Sequence, residues 1–126
     1  MKLEMEFQGS EISEIKSLKT ELEIRFRHVM IITTPESSAK PKKTGVSAII
    51  RIGTAKYKKL PKEGIIEDGE LYGIPNKALN GRIPVDFTIA RDCELELTID
   101  HIDYVITGKS FMISVDMACL PDELRH

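Results

Sequence analysis

Apolar and polar residues alternate along most of this sequence, and that period of two limits the fold more than any other feature. A β-strand sends successive side chains to opposite faces, so alternation marks a strand with one buried face and one wet face. Met1, Leu3, Met5 and Phe7 alternate with Lys2, Glu4, Glu6 and Gln8. From Leu18 onward, Leu22, Ile24, Phe26, Met30 and Ile32 share one face, with Lys19, Glu21, Glu23, Arg25 and Arg27 on the other. His28 falls on the apolar face. There a histidine is expected to be a hydrogen-bonded core residue, with a ligand or pH-switch role as the sharper reading. Val46 to Ile52 resumes strand character, and Lys56 to Lys62 is less regular.

Two stretches depart from the pattern. Ile12, Ile15 and Leu18 stand at helical spacing behind Ser10, which predicts one or two turns of helix over Ser10 to Leu18. Pro75 to Gly81 reads as a short helical turn with proline first and glycine last, or as a tight turn at Asn80-Gly81. Asp68-Gly69, between Ile65-Ile66 and Leu71-Tyr72, carries the signal of a type I′ hairpin.

The C-terminal half predicts a register. Ile83, Val85, Phe87 and Ile89 alternate, as do Cys93, Leu95, Leu97 and Ile99. A loop at Ala90-Arg91-Asp92 would oppose Ile89 to Cys93 and Phe87 to Leu95, matching apolar with apolar. A second hairpin at Gly108-Lys109 would oppose Ile106 to Phe111, Tyr104 to Ile113 and Ile102 to Val115. Between the two, the apolar side chains move from odd to even numbers at Asp100-His101, where there is no glycine or proline. The simplest expectation is one long strand from Cys93 to Thr107, bent by a β-bulge at that point.

Together these signals predict an all-β protein, a single domain over residues 1–126 with a mobile polar loop around 33–45. The architecture expected is a β-sandwich or partly open β-barrel of about seven or eight mostly antiparallel strands, with at most one short helix. A chain of 126 residues can bury a core without staples. Cys93 and Cys119 form no CxxC or Cys/His motif, and are expected to be free thiols of a reducing compartment rather than a disulfide. MKLEMEFQ has no apolar signal-peptide core. The apolar run Val29 to Ile32 falls far short of the ~20 residues of a membrane helix. The expectation is a cytoplasmic protein that does not enter a membrane.

Chemistry is harder to find. The predicted register sets His101 across from Asp116, with Asp103 on the same polar face. That is a candidate pH-sensitive or metal-binding cluster, weighed against an ordinary solvated face. A metal site needs at least three converging ligands and a supporting shell, so no metal or cofactor is expected. Gly108-Lys109-Ser110 lacks the upstream glycine and following helix of a phosphate-binding loop. There is no Gly-x-Ser-x-Gly.

Charge is unevenly spread although the net charge is only −2. Eight basic residues and no acid lie between Ala39 and Lys62, while eight acids and one lysine lie between Asp92 and Glu123. Lys56, Tyr57, Lys58, Lys59 and Lys62 form a candidate anion or nucleic-acid patch, with Tyr57 as an exposed stacking ring. The competing readings are a solvated, aggregation-resistant edge, or a basic half that meets the acidic half of another copy. The leading expectation is a non-enzymatic binding or assembly module that engages a protein partner or itself. Nucleic-acid binding through 40–62 comes second, and a small enzyme around His101, Asp103 and Asp116 third.

Overall fold

The computed structural model describes residues 2–34, 42–75, 78–85 and 87–116. Among them there are eleven strands and no helix. They are β1 (Lys2–Ser17), β2 (Glu21–Thr34), β3 (Lys42–Gly53), β4 (Lys56–Tyr57), β5 (Gly64–Ile65) and β6 (Asp68–Tyr72). The rest are β7 (Arg82–Pro84), β8 (Phe87–Ile89), β9 (Cys93–Ile99), β10 (Ile102–Gly108) and β11 (Ser110–Val115). The number exceeds the seven or eight expected because it includes β4, β5, β7 and β8, which are only two or three residues long.

All pairings are antiparallel, and they make two sheets not closed into a barrel. One has seven strands in the order β5-β1-β2-β3-β11-β8, with β7 also on β1; the other has four, in the order β4-β10-β9-β6. Both contribute to one apolar core. Phe7, Leu22, Ile24, Ile50, Ile52 and Phe111 come from the larger sheet, and Leu71, Leu95, Leu97, Tyr104 and Ile106 from the smaller. Alternation marks the buried face of β9 without a break and that of β2 as far as Phe26, whereas Ile102, expected on the buried face of β10, is exposed.

Several expected connections differ. The helix over Ser10 to Leu18 is strand β1, whose register on β2 shifts between Glu6 and Glu11 and again up to Glu14. Those irregularities set Ile12 and Ile15 at a spacing that imitates a helix. Within the first gap the Ser10 hydroxyl donates to the Glu6 carbonyl at 2.7 Å and accepts from the Met30 amide at 3.1 Å, taking over from missing ladder bonds. In β2 the register on β3 shifts between Phe26 and Val29. Beyond that bulge Val29 and Ile31 enter the core and His28 is exposed, not a core histidine. A bulge flips the buried face, and here is where the chain uses one.

The predicted hairpins at Asp68-Gly69, at Ala90-Arg91-Asp92 and at Gly108-Lys109 are absent. In each case the chain passes from one sheet to the other. β5 lies on β1 but β6 on β9, β8 pairs with β11, and β10 pairs with β9 and β4. Gly108 makes the last corner possible. A Cβ there would collide with Ile52 Cγ2 and stand 2.9 Å from the Gly53 carbonyl, which accepts a hydrogen bond from the Lys109 amide. Crossing to the opposite sheet keeps the apolar side inward just as a hairpin would, so the apolar pattern alone does not separate the two.

Cys93 to Thr107 is not one bent strand. β9 and β10 form a hairpin in which Ile99 pairs with Ile102, and Asp100-His101 is its two-residue turn. Both turn residues have positive φ, 51° and 64°, the left-handed pair of a type I′ turn. Neither is glycine, so the turn is strained, and side chains from the preceding segment hold it. Lys62 pairs with Asp100. The Glu67 carboxylate accepts from the His101 amide at 3.0 Å and lies 3.3 Å from His101 Nδ1. Of the polar loop expected around 33–45, Thr33, Thr34 and Lys42 to Gly45 belong to β2 and β3. Residues 35–41 lie outside the described residues, as do Cys119 and, within the predicted turn at 75–81, Asn76 and Lys77.

Candidate functional site: the outer face of the four-stranded sheet

The corrected topology dissolves one expected cluster. His101 sits at the β9–β10 turn, whereas Asp116 follows β11 in the other sheet, where its amide donates to the Ser47 carbonyl at 2.9 Å. Asp103 lies on β10 and accepts from Thr98 Oγ1 at 2.7 Å. The three residues are not brought together, because the hairpin that would have joined them does not form.

A different grouping occupies the outer face of the smaller sheet. β9 alternates buried and half-buried residues, so Glu94, Glu96 and Thr98 turn outward between Cys93, Leu95, Leu97 and Ile99. The pairings then define three cross-strand rows. One is Tyr72, Glu94, Thr107 and Lys56; the next is Glu70, Glu96 and Val105; the third is Asp68, Thr98 and Asp103. Five carboxylates from β6, β9 and β10 therefore share one surface. Glu70 is tied back into the fold, accepting from the Gly81 amide at 2.6 Å and from the Leu71 amide at 3.0 Å. Among the described residues no lysine or arginine forms an ion pair with Glu94, Glu96 or Asp103. Burial pushes the Glu96 carboxyl above the usual carboxylate range; the charge of Glu94, a hydrogen bond with it and the charge of Asp103 push it further, against a hydrogen bond from Tyr72 that lowers it. The Tyr72 hydroxyl is raised as well, first by burial and then by the surrounding carboxylates. This face is electrostatically unfavourable in the isolated protein.

Lysines flank it on the β4 side, though not as the continuous track expected. Lys56 belongs to the first row, and Lys58 is exposed. Lys59 Nζ stands 5.9 Å from the centre of the Tyr104 ring, and Lys62 is engaged with Asp100. Tyr57 is not an exposed stacking ring: it packs against the core, and its hydroxyl lies 2.7 Å from that of Ser17.

Two hollows open here. One, of about 520 Å³, lies at the Tyr72–Lys56 end of the face, with Thr54, Asp92, Cys93 and Lys109 also in its walls. The other, of about 570 Å³, runs along β4 and β10 and brings Lys58 and Lys59 beside Asp103 and Val105. The Cys93 thiol in the first is raised by burial and by Asp92, so it is held neutral and is a poor nucleophile. No group of three or more histidine, cysteine, aspartate or glutamate side chains among the described residues has a metal-binding arrangement. Among those residues no helix is long and apolar enough to cross a membrane.

Sequence reasoning found the lysines but missed Asp68, Glu70, Tyr72 and Thr107. The outward direction of Glu94 and Glu96 was readable, but their neighbours depend on β6 lying beside β9, which the local pattern does not encode. Comparison with known proteins finds no matching family, no similar curated protein and no similar solved structure.

Proposed function

We propose that the protein is a non-enzymatic binding or assembly module whose working surface is the outer face of the four-stranded sheet. Its partner is a protein surface rich in cations. The observation that supports this is the crowding of carboxylates at Asp68, Glu70, Glu94, Glu96 and Asp103, with no ion pair to Glu94, Glu96 or Asp103 among the described residues. Like charges opposed across strands destabilise a sheet by a few tenths of a kcal/mol each, and a cationic partner converts that repulsion into attraction. One suitable partner is a second copy. The face is acidic on the β6–β9 side and basic on the β4 side. Two such faces related by a two-fold axis parallel to the strands set acid against base twice. A neutral, buried Cys93 suits a reducing compartment, and we propose a cytoplasmic setting.

Nucleic-acid binding through Lys56, Lys58 and Lys59 is the second reading, favoured by the hollow beside them. The neighbouring carboxylates repel a phosphate backbone, and Tyr57 is half-buried against the core. A catalytic role for His101, Asp103 and Asp116 has no common site to rest on.

Light scattering at low and high salt tests self-association. The wild type is expected to associate at low salt, and two variants, Glu94→Lys/Glu96→Lys and Lys56→Glu/Lys58→Glu, to remain monomeric alone. Mixed together, the variants should recover a complex, since each then meets its opposite charge. A monomeric wild type at all salt concentrations removes self-association. If an oligolysine peptide also fails to bind, the docking face is removed too.

A further inference from the structure

The hollow at the Tyr72–Lys56 end has chemistry of its own. Its floor is one cross-strand row: Tyr72 on β6, Glu94 on β9, Thr107 on β10 and Lys56 on β4. Adjacent strands are about 4.8 Å apart, so Glu94 and Lys56, two strands apart, start from backbones roughly 10 Å apart. The small Thr107 lies between them. Asp92 adds a second carboxylate on the β9 side, and Lys109 a second ammonium from the end of β10. Among the described residues no ion pair joins these acids to these lysines, although they line the same hollow. A ligand carrying one charge satisfies only one wall. A ligand carrying both, suitably spaced, satisfies the two together.

Of the three non-glycine residues with positive φ among the described residues, one lies in the same wall, and the other two, Asp100 and His101, form the β9–β10 turn. Thr54 has φ of 51°. A β-branched residue in the left-handed region is a genuine outlier, and such strain gathers where a structure positions a ligand. On the far wall Gly73 has φ of 95°, and a Cβ there would stand 2.7 Å from the Asp92 carbonyl, so the end of β6 closes tightly against the start of β9.

We infer that this hollow binds a small linear zwitterion. An amino acid of the γ- to ε-type fits, its ammonium between Glu94 and Tyr72 and its carboxylate at Lys56 and Lys109. The spacing of the row favours separated charges over an α-amino acid, whose two groups share one carbon. Glu94 and Lys56 belong also to the proposed docking face, so a docked partner and a zwitterion compete for them, but zwitterion binding is read on the isolated chain whether or not a protein partner exists.

The test is a ¹H–¹⁵N correlation titration of the whole chain with glycine, γ-aminobutyrate, ε-aminocaproate, butyrate and butylamine. Saturable shifts at the amides of Glu94, Thr107 and Lys56 are expected with the longer zwitterions. These should bind roughly tenfold more tightly than butyrate or butylamine, since each of the latter lacks one charge-assisted contact. Glu94→Gln should bind γ-aminobutyrate no better than butyrate, and Lys56→Met no better than butylamine. Equal binding of butyrate and γ-aminobutyrate by the wild type overturns the ligand class. Shifts that do not saturate, or that scatter over the surface, overturn the site. Both of these outcomes are read on the unmodified protein, so a poorly folding variant does not block them.

Discussion

The two sheets treat their outward charges in opposite ways. On the seven-stranded sheet acids and bases are interleaved. Glu23 accepts from Arg25 Nε at 3.0 Å and from Arg51 Nε and Nη2 at 3.2 Å. Arg27 lies 3.1 Å from Glu11, and Lys16 3.6 Å from Glu14. On the four-stranded sheet the face carries carboxylates against one another. The contacts described there, Lys62 with Asp100 and His101 with Glu67, sit at the β9–β10 turn and leave Glu94, Glu96 and Asp103 without a lysine or arginine partner among the described residues. Alternation sends charged residues outward in both sheets. Strand order decides whether the neighbour across the ladder neutralises them. One face is complete in itself, and the other is left with charge that something else can satisfy.

The sharpest way to break that comparison is to remove the centre of the neutralised network. The Glu23 side chain is only 6% exposed, and its two arginine partners are 42% and 45% exposed. Glu23→Gln should lower stability by about 1–2 kcal/mol at neutral pH, held below the figure for a fully buried pair because the guanidinium groups reach water. Urea denaturation measures it. The Arg25 hydrogen bond leads in holding the Glu23 carboxyl below its ordinary 4.5, working against burial and assisted by Arg51. A depressed pKa stabilises the fold above 4.5 and loses that contribution as pH falls through the lower folded value. The gap between wild type and Glu23→Gln should therefore close in acid. A gap that persists there would mean that packing, not ion pairing, holds Glu23.

A second test removes strain from the tip of the smaller sheet without touching its face. His101 occupies the left-handed region at φ of 64°. Glycine adopts that conformation freely, and the amide that donates to Glu67 remains after substitution. His101→Gly should raise the melting temperature by roughly 3 °C. A fall would show that the histidine–glutamate contact outweighs the strain it accompanies.

This turn also shows what the sequence did and did not disclose. The period of two identified the all-β class and most buried positions, because burial on one face is a local property. It did not identify partners. Ile106 can face Phe111 across a hairpin or Leu95 across the ladder, and both pairings are apolar. The phase change at Asp100-His101 has two physical causes, a bulge or a two-residue turn, and the absence of glycine or proline pointed to the wrong one. What makes the turn feasible is a clamp by Lys62 and Glu67, more than thirty residues upstream, as the 34-residue separation of Glu67 and His101 records. The candidate site was half legible for the same reason. Lys56, Lys58 and Lys59 stand close together in sequence, whereas Asp68 and Glu70 join Glu94, Glu96 and Asp103 only through the order β6-β9-β10.

The smallest expected effect decides most about the unneutralised face. Glu96 is opposed by Glu70 across β6, and burial, then Glu94 and Asp103, raise its carboxyl above the ordinary 4.5. A raised pKa means the folded protein binds the proton more readily than the unfolded chain. That contribution is complete below 4.5 and is lost as pH rises through the raised folded value, leaving the ionised group unfavourable at neutral pH. Glu96→Gln keeps the shape and removes the charge, so it should stabilise the protein at neutral pH by a few tenths of a kcal/mol. The difference should vanish in acid, where Glu96 is protonated anyway. The two glutamine variants thus move in opposite directions at neutral pH and converge on the wild type at low pH. If Glu96→Gln instead destabilises at neutral pH, the carboxylate is already satisfied within the fold. The contrast between the two faces would then fail, and with it the reason to expect a cationic partner there.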